Sequence, residues 1–276
     1  MQEDVKSGKR MTAICIPAHN NYDQLRSLLE SINKQTEKNW IVCIADDSPT
    51  DDIGTKLEKD GVLGKRIFYF HHENKGTSNN TNEAIKMALK HGADYIKVMH
   101  QDDSFSTPES LEKMVDALEN DPSADILFTA DIEDYPEKQP VHDCSDEQLE
   151  MIRDDYRVLY RTNWLGAPSV TLHRVNAEMY DGNLRWLLDV DFYLRILNKN
   201  SHFVYLHEPL ITIGHYGDQL TDFCTSHPEL MISENIRVYR KYPFLHDRIN
   251  TYYLFQMIKG YHIGKMKKKI KRIIGK

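Results

Sequence analysis

Short apolar runs alternate with amphipathic stretches through the first half of the chain. Met11–Ile16 (MTAICI), closed by Pro17, predicts a buried strand. Leu25, Leu28, Leu29 and Ile32 then fall at i, i+3, i+4 and i+7, one apolar stripe of a helix. Trp40–Ala45 (WIVCIA) and Arg66–Phe70 (RIFYF) predict a second and a third strand. Thr81–Leu89 predicts a helix with Ala84, Ile85, Ala88 and Leu89 facing inward, and Tyr95–Met99 (YIKVM) a fourth strand. Thr107 and Pro108 predict a helix start, Thr as N-cap and Pro in the first turn, ahead of the stripe Leu111, Met114, Val115 and Leu118. Asp125–Ala130 (DILFTA) predicts a fifth strand. Such alternation builds a mostly parallel sheet covered on both faces. Sheets of this kind bind ligands beyond the carboxyl ends of their strands.

The alternation stops at Asp131. Residues 131–165 read as acidic, aromatic and irregular, with Pro136 and Pro140. Beyond them, Ser169–Leu172 predicts a strand and Leu184–Asn198 a helix. Phe203–Leu206 and Leu210–Ile213 predict a hairpin around Glu208 and Pro209, and Pro228–Tyr242 a helix.

The chain has 276 residues, of which 40% are hydrophobic and 28% charged, the balance of a soluble globular protein. No apolar run reaches the roughly 18 residues of a membrane span. Met1–Arg10 is polar and mixed in charge, unlike a secretory signal. Cys15, Cys43, Cys144 and Cys224 show no C-x-x-C spacing, so reduced thiols in a cytoplasmic protein are expected. The net charge of −7 hides an asymmetry. Residues 259–276 hold eight Lys and Arg and no acid, which leaves 27 basic against 42 acidic groups elsewhere. That acidic body excludes a phosphate-backbone reader, so no nucleic-acid partner is expected. It suits a protein that gathers carboxylates around a cation.

The acids cluster where strands end. Asp46-Asp47-Ser48 follows the second predicted strand, and Gln101-Asp102-Asp103 follows the fourth after His100. In a parallel sheet both groups reach one rim. Desolvating adjacent carboxylates costs several kcal/mol unless something compensates. A hard divalent cation does so through oxygen ligands, and donors on a nucleotide base do so by hydrogen bonding. Turn propensity alone also places Asp and Ser at strand ends, but not twice on one rim. The turn after the first strand, Pro17-Ala18-His19-Asn20, is not glycine-rich, and no P-loop occurs, so a diphosphate here would rely on a metal.

At these residues the chain resembles the family 2 glycosyltransferases of the GT-A fold. Ile14–Asn20 looks like their opening strand and turn, and Asp46-Asp47-Ser48-Pro49-Thr50-Asp51 like their nucleotide-binding DDxSxD stretch. Asn74-Lys75-Gly76, then Asn82, is similar to their next shared segment, and His100-Gln101-Asp102-Asp103 to their acidic motif. Leu188–Arg195 looks like the acceptor-side motif, with Leu188 in place of the usual Glu. Gly214–Thr221 is similar to their late histidine segment, without the arginine many relatives carry before His215. The likeness runs from about residue 11 to 222.

The resemblance implies a Rossmann-like GT-A domain, mostly parallel and flanked by helices, with a C-terminal helical extension. Its parts would be a polar tail (1–10), a nucleotide-sugar-binding half (11–130), an acceptor-binding half (131–225) and the extension with its basic tail (226–276). It implies that Asp47 accepts from the uracil edge of a UDP-sugar with Asp46 beside it, and that Pro17, Ala18, Asn20, Gly76, Asn82 and Gln101 line the nucleotide site. It implies that Asp103 ligates Mn²⁺ or Mg²⁺, that Asp102 contacts ribose or sugar, and that His215 lies near the diphosphate or metal. Asp189 or Asp191 would be the catalytic base, and Trp186 and Trp164 would touch a glycan or lipid-linked glycan acceptor. An inactive nucleotide-sugar-binding scaffold and a sugar nucleotidyltransferase are the alternatives on this fold. Aromatic residues from Tyr252 to Phe255 beside the lysine-rich 259–276 further suggest an interfacial helix at an anionic membrane, here the inner face.

Overall fold

The computed structural model describes residues 10–175, 178–215 and 220–274, with backbone alone for 220–222 and 265–274. The segment 1–9, and residues 216–219 of the late histidine segment, lie outside the described residues.

The first part runs β1 (Thr12–Ala18), α1 (Tyr22–Asn33), β2 (Trp40–Asp46), α2 (Asp52–Lys59), β3 (Ile67–His71), α3 (Thr77–Lys90) and β4 (Tyr95–Val98). β1 is fully buried and lies between β2 and β4, parallel to both, and β3 lies parallel outside β2. Each crossover helix buries the stripe its spacing dictates, as with Leu25, Leu28, Leu29 and Ile32 on α1. The short α2 has only Ile53 and Leu57 as large buried apolar residues, too little periodicity to be read from sequence.

Next come β5 (Ser104–Phe105), α4 (Ser110–Asn120), β6 (Ile126–Asp134), β7 (Val141–His142), α5 (Asp146–Asp154), β8 (Thr171–Arg174), α6 (Leu188–Lys199) and β9 (Val204–Gly214). Among the described residues nine strands form one mixed sheet in the order β3-β2-β1-β4-β8-β6-β9-β5, with β7 on β6. β8 pairs antiparallel with β4 and with β6 and so joins the two halves. This is a mixed sheet flanked by helices.

Three expectations are corrected. Val204–Gly214 is one strand parallel to β6, not a hairpin. Pro209 lies opposite Ala130 without an N–H to give, so the ladder slips there as a bulge and does not turn. Residues 131–165 are not irregular throughout, because β6 runs on to Asp134 and α5 opens with a capping box. Ser145 accepts from Gln148 N, and the Gln148 side chain accepts from Ser145 N. Thr107 does not cap α4. Its N–H donates to Ser110 Oγ at 3.0 Å in a turn ahead of the helix.

Finally α7 (Leu220–Ser226), α8 (Pro228–Lys241) and α9 (Arg248–Ile274) form the extension. α8 and α9 pack on the middle of the chain. Tyr160 donates to Asn235 O at 3.0 Å and meets the Tyr253 ring edge-on at 5.6 Å, and Arg161 donates to Asn250 Oδ1 at 2.6 Å.

Phe128 on β6 is fully buried and meets Tyr193 of α6 and Phe203 edge-on, with centroids 5.0 and 5.7 Å away. Replacing it with Ala leaves a cavity beneath α6. We expect Phe128→Ala to lower the unfolding free energy by about 3–5 kcal/mol in urea titrations; a loss under 1 kcal/mol would contradict this packing.

Candidate active site

The site begins at the rim of β1, β2 and β4. Because β1 lies between its two neighbours, its tip separates the two acidic groups. The turn after β1 ties them together. His19 Nδ1 donates to Asp47 Oδ1 at 2.9 Å, His19 N donates to Gln101 Oε1 at 2.8 Å, and Gln101 Nε2 returns a bond to His19 O at 2.9 Å. Asn20, with φ of 60°, donates from its N–H to Ser48 Oγ at 2.7 Å.

Asp46 and Asp47 point to different surroundings, as adjacent strand-end residues do. Asp46 is fully buried; it accepts from Ser48 N at 2.9 Å and Tyr69 OH at 2.7 Å. Asp47 faces the cleft. Its Oδ2 accepts from Lys75 N at 3.3 Å and Gly76 N at 3.2 Å, and its Oδ1 from Asn80 Nδ2 at 3.3 Å. Gly76 starts α3 with φ of 81°, a conformation that side chains disfavour, and so aims its N–H at the carboxylate.

Across the tip of β1, Asp102 is half-buried and Asp103 buried. Asp103 Oδ1 accepts from Gly214 N at 3.1 Å, whereas its buried Oδ2 has no hydrogen-bond partner among the described residues. Burial, reinforced by Asp102, pushes the Asp103 carboxyl well up. Lys97, fully buried on β4 and bonded to Ser169 O, is its internal counter-charge; burial pulls its ammonium down to about 7.

The far wall comes from β6, β7 and β9. Glu133 meets His215 Nε2, and the His215 ring stacks on Tyr135 at 3.9 Å. Asp131 Oδ1 accepts from His142 Nδ1 at 3.0 Å, and its buried Oδ2 lacks a partner among the described residues. Ligand atoms of Asp131, Glu133 and His142 lie within 4.8 Å of one another, a spacing that could hold a metal ion.

The remaining wall is built by α6 and the extension. Asp189, in the first turn of α6, accepts from Val190 N at 2.7 Å and Asn163 Nδ2 at 2.9 Å. Burial pushes its carboxyl up to about 6, while these donors hold it back. The loop before α6 hangs on Glu234 of α8. This buried carboxylate accepts from the N–H of Arg185, Trp186 and Leu187 at 2.9, 2.9 and 3.0 Å. All these walls enclose one cleft of about 1010 Å³, lined by Asp47, Asp102, Asp103, Asp189, Trp186 and His215 among others.

The sequence profile of glycosyl transferase family 2 matches residues 13–170. The chain belongs to that family. The chain is 26% identical over 222 residues to an uncharacterized glycosyltransferase of Haemophilus influenzae, covering 72% of this chain and 67% of that protein. It is 29% identical over 119 residues to the chondroitin synthase of Escherichia coli, covering 43% of this chain but 17% of the synthase. An uncharacterized glycosyltransferase of Rickettsia felis matches over 93 residues at 37% identity, 34% of this chain and 15% of that protein. The chain thus spans a small part of these last two relatives. Among solved structures, Staphylococcus aureus TarS 1–349 in complex with UDP-GlcNAc superposes with a TM-score of 0.63 at 14% identity, over 90% of this chain and 71% of that one. The mannosyltransferase PcManGT of Pyrobaculum calidifontis, in complex with GDP-Man and Mn²⁺, superposes with a TM-score of 0.61 at 11% identity, over 94% and 76%. These likenesses establish a GT-A glycosyltransferase fold.

Several residues expected in the site are not on the cleft. Asp191 is fully buried and accepts from Arg195 Nε at 3.0 Å, Lys241 Nζ at 3.0 Å and Tyr242 OH at 2.7 Å, so it is a packing charge. Asn82 clamps Tyr180, donating to its C=O and accepting from its N–H, both at 2.8 Å. Asp46, Ala18 and Asn20 shape the turns behind the cleft, and Trp164 packs against the core. Pro17, Gly76 and Gln101 do line it. The sequence reading missed Asn80, Glu133 and Glu234. Asn80 sits on the first turns of α3 two residues before Asn82, a visible signal; Glu234 gives none, because its partners lie 47–49 residues away.

Glu234→Ala leaves three N–H groups of the Asp189 loop without an acceptor. We expect it to cut turnover at least tenfold while nucleotide-diphosphate binding, read by calorimetry, changes less than threefold. Asn82→Ala should cost about 1–3 kcal/mol of stability through the freed Tyr180 backbone, again with little change in nucleotide affinity. A large loss of affinity in either variant would contradict these placements.

Proposed function

We propose that the chain is an inverting glycosyltransferase that moves a sugar from a UDP-sugar to a hydroxyl of a glycan or lipid-linked glycan, in surface polysaccharide or glycolipid assembly at the cytoplasmic side of a membrane. One observation carries the reading: a single cleft holds Asp47, Asp102 and Asp189 together. The nucleotide-sugar complexes of two fold neighbours support it.

Asp47, held by two backbone N–H groups and His19, accepts from the base edge and orients the donor. Asp102 faces the ribose or sugar. Asp189 takes the proton of the acceptor hydroxyl as its oxygen attacks the anomeric carbon; the bond from that carbon to the diphosphate breaks, and the diphosphate leaves with the electron pair. Asn163 and Val190 N–H fix the orientation of that carboxylate. One base acting on the face opposite the leaving group gives a single displacement and hence inversion. Trp186, half-buried on the cleft, offers a face to the acceptor. Orienting both substrates supplies roughly 7–11 kcal/mol of the barrier.

The donor set fits a divalent cation. Asp103 Oδ2, which has no hydrogen-bond partner among the described residues, and the imidazole of His215 beside Glu133 offer a hard oxygen and a nitrogen of the kind Mn²⁺ or Mg²⁺ accept. Asp103 and His215 would hold it, and a bound cation would supply neutralisation of the diphosphate leaving group.

Three measurements test this. UDP should raise the melting temperature more with Mn²⁺ than without, and more than GDP does; Asp47→Ala should abolish the rise. No response to any nucleoside diphosphate would end the reading. Asp189→Asn should lower kcat by a factor on the order of 10²–10⁴ with UDP affinity preserved. Because burial raises the Asp189 carboxyl to about 6, the base is ionised above that pH and protonated below it. The kcat/KM should therefore be flat at neutral pH and fall about tenfold per unit below 6.

A further inference from the structure

α9 has two faces that change differently along its length. At its start the inner face packs on the body: Asn250 and Leu254 are buried, and Tyr253 and Met257 line the cleft. The outer face carries Ile249, Tyr252 and Phe255, which are 63, 63 and 59% exposed, and Ile263 further along, 43% exposed. These four residues fall within about a third of the helix circumference. Large aromatic and aliphatic side chains gathered this way exceed the scattered apolar exposure of an ordinary surface.

Eighteen residues make about five full turns, so positions eighteen apart share a face. On the outer face, Tyr252 is succeeded by Ile270 and Phe255 by Ile273, with Met266 in the same register. On the inner face, Asn250, Tyr253 and Leu254 are succeeded by Lys268, Lys271 and Arg272. The outer face thus keeps apolar positions further along the helix, interrupted by Lys259 and by Lys267, the successor of Ile249, while the positions that pack on protein at the start are succeeded by cations. A helix built only to pack on its own domain has no use for the outer stripe. One that merely frays into water has no use for Ile270 and Ile273.

We propose that the outer face of α9 is a membrane-docking surface, and that its partner is an anionic lipid bilayer. A helix with apolar side chains on one face and lysines on the rest lies in the plane of such an interface, with aromatic and aliphatic side chains in the acyl boundary and cations reaching to the headgroups. No helix among the described residues is long and apolar enough to cross a membrane, so the contact is peripheral. Charge selects the partner: eight Lys and Arg without an acid over 259–276 oppose an otherwise acidic body. A second copy of this chain would bring the same cations against its own and repel. Because the inner face of the same helix lines the cleft, docking sets the cleft beside the bilayer. Combined with the transferase reading, this favours a lipid-linked acceptor.

Flotation of the full chain with vesicles tests the surface. The chain should float with phosphatidylglycerol–phosphatidylcholine vesicles, stay behind with phosphatidylcholine alone, and be released by high salt. Tyr252→Ser/Phe255→Ser and Lys268→Glu/Lys271→Glu should each weaken binding at least tenfold, whereas Lys268→Arg/Lys271→Arg should bind as the parent does. Melting with UDP is run on the same variants. A preserved nucleotide response shows that the fold and cleft are intact, and vesicle binding without any nucleotide response would remove the transferase reading but leave this one. Equal binding to neutral and anionic vesicles overturns the proposal. So does unchanged binding by Tyr252→Ser/Phe255→Ser, or conversion of a dimer to monomers by that variant without vesicle binding by the parent.

Discussion

Buried carboxylates need donors, and that constraint organises this molecule. An ionised carboxyl moved out of water loses several kcal/mol unless hydrogen bonds replace its hydration. Here backbone N–H groups replace it repeatedly: Ser48 for Asp46, Lys75 and Gly76 for Asp47, Gly214 for Asp103, and three successive residues for Glu234. A hydrogen bond to a charged group contributes roughly 1.5–3 kcal/mol. All but the Ser48–Asp46 bond also join segments far apart in sequence. Asp47 fastens the start of α3 to the tip of β2, Asp103 fastens the end of β9 to the loop after β4, and Glu234 fastens the extension to α6. The acids that give the cleft its chemistry thus also hold its walls in place.

The parts of the fold that were legible in sequence are those set by local periodicity. β1, β2, β4 and the stripes of α1 and α4 follow from spacing alone, because a buried parallel strand and an amphipathic helix leave different repeats. What stayed hidden depends on partners. β9 reads as two strands around Glu208-Pro209, since only the register against β6 shows that the proline interrupts a ladder without reversing it. β8 is short, and its place between β4 and β6 is a long-range pairing. α5 carried its capping box in plain view at Ser145 and Gln148, but the surrounding acids and prolines masked it.

The family profile ends at residue 170, and the cleft does not. The cleft residues from Pro17 to Asp103 lie within the matched stretch. Asp189, Trp186, His215, Asn235 and Tyr253, which also line the cleft, come after it. A nucleoside diphosphate is a constant object and constrains the loops that hold it. An acceptor varies, and the elements facing it are free to differ in length and sequence between relatives. Under the proposed function, a legible donor half and a less legible acceptor half follow from that difference in ligand.

Two pairs of like residues show how the backbone, rather than residue type, assigns a role. Asn80 and Asn82 lie two apart on α3, and Asp189 and Asp191 two apart on α6. Two residues along an α-helix turn the side chain by about 200°, so one member of each pair must face away from the other. Asn80 reaches Asp47, and Asn82 reaches Tyr180. Asp189 meets the cleft, and Asp191 meets Arg195, its i+4 neighbour, with Lys241 and Tyr242 closing round it. The i+4 partner is the feature a sequence does show. A carboxylate with an arginine one turn on is already neutralised on its own helix face. The aspartate without that partner is the one whose charge remains to act on something bound in the cleft.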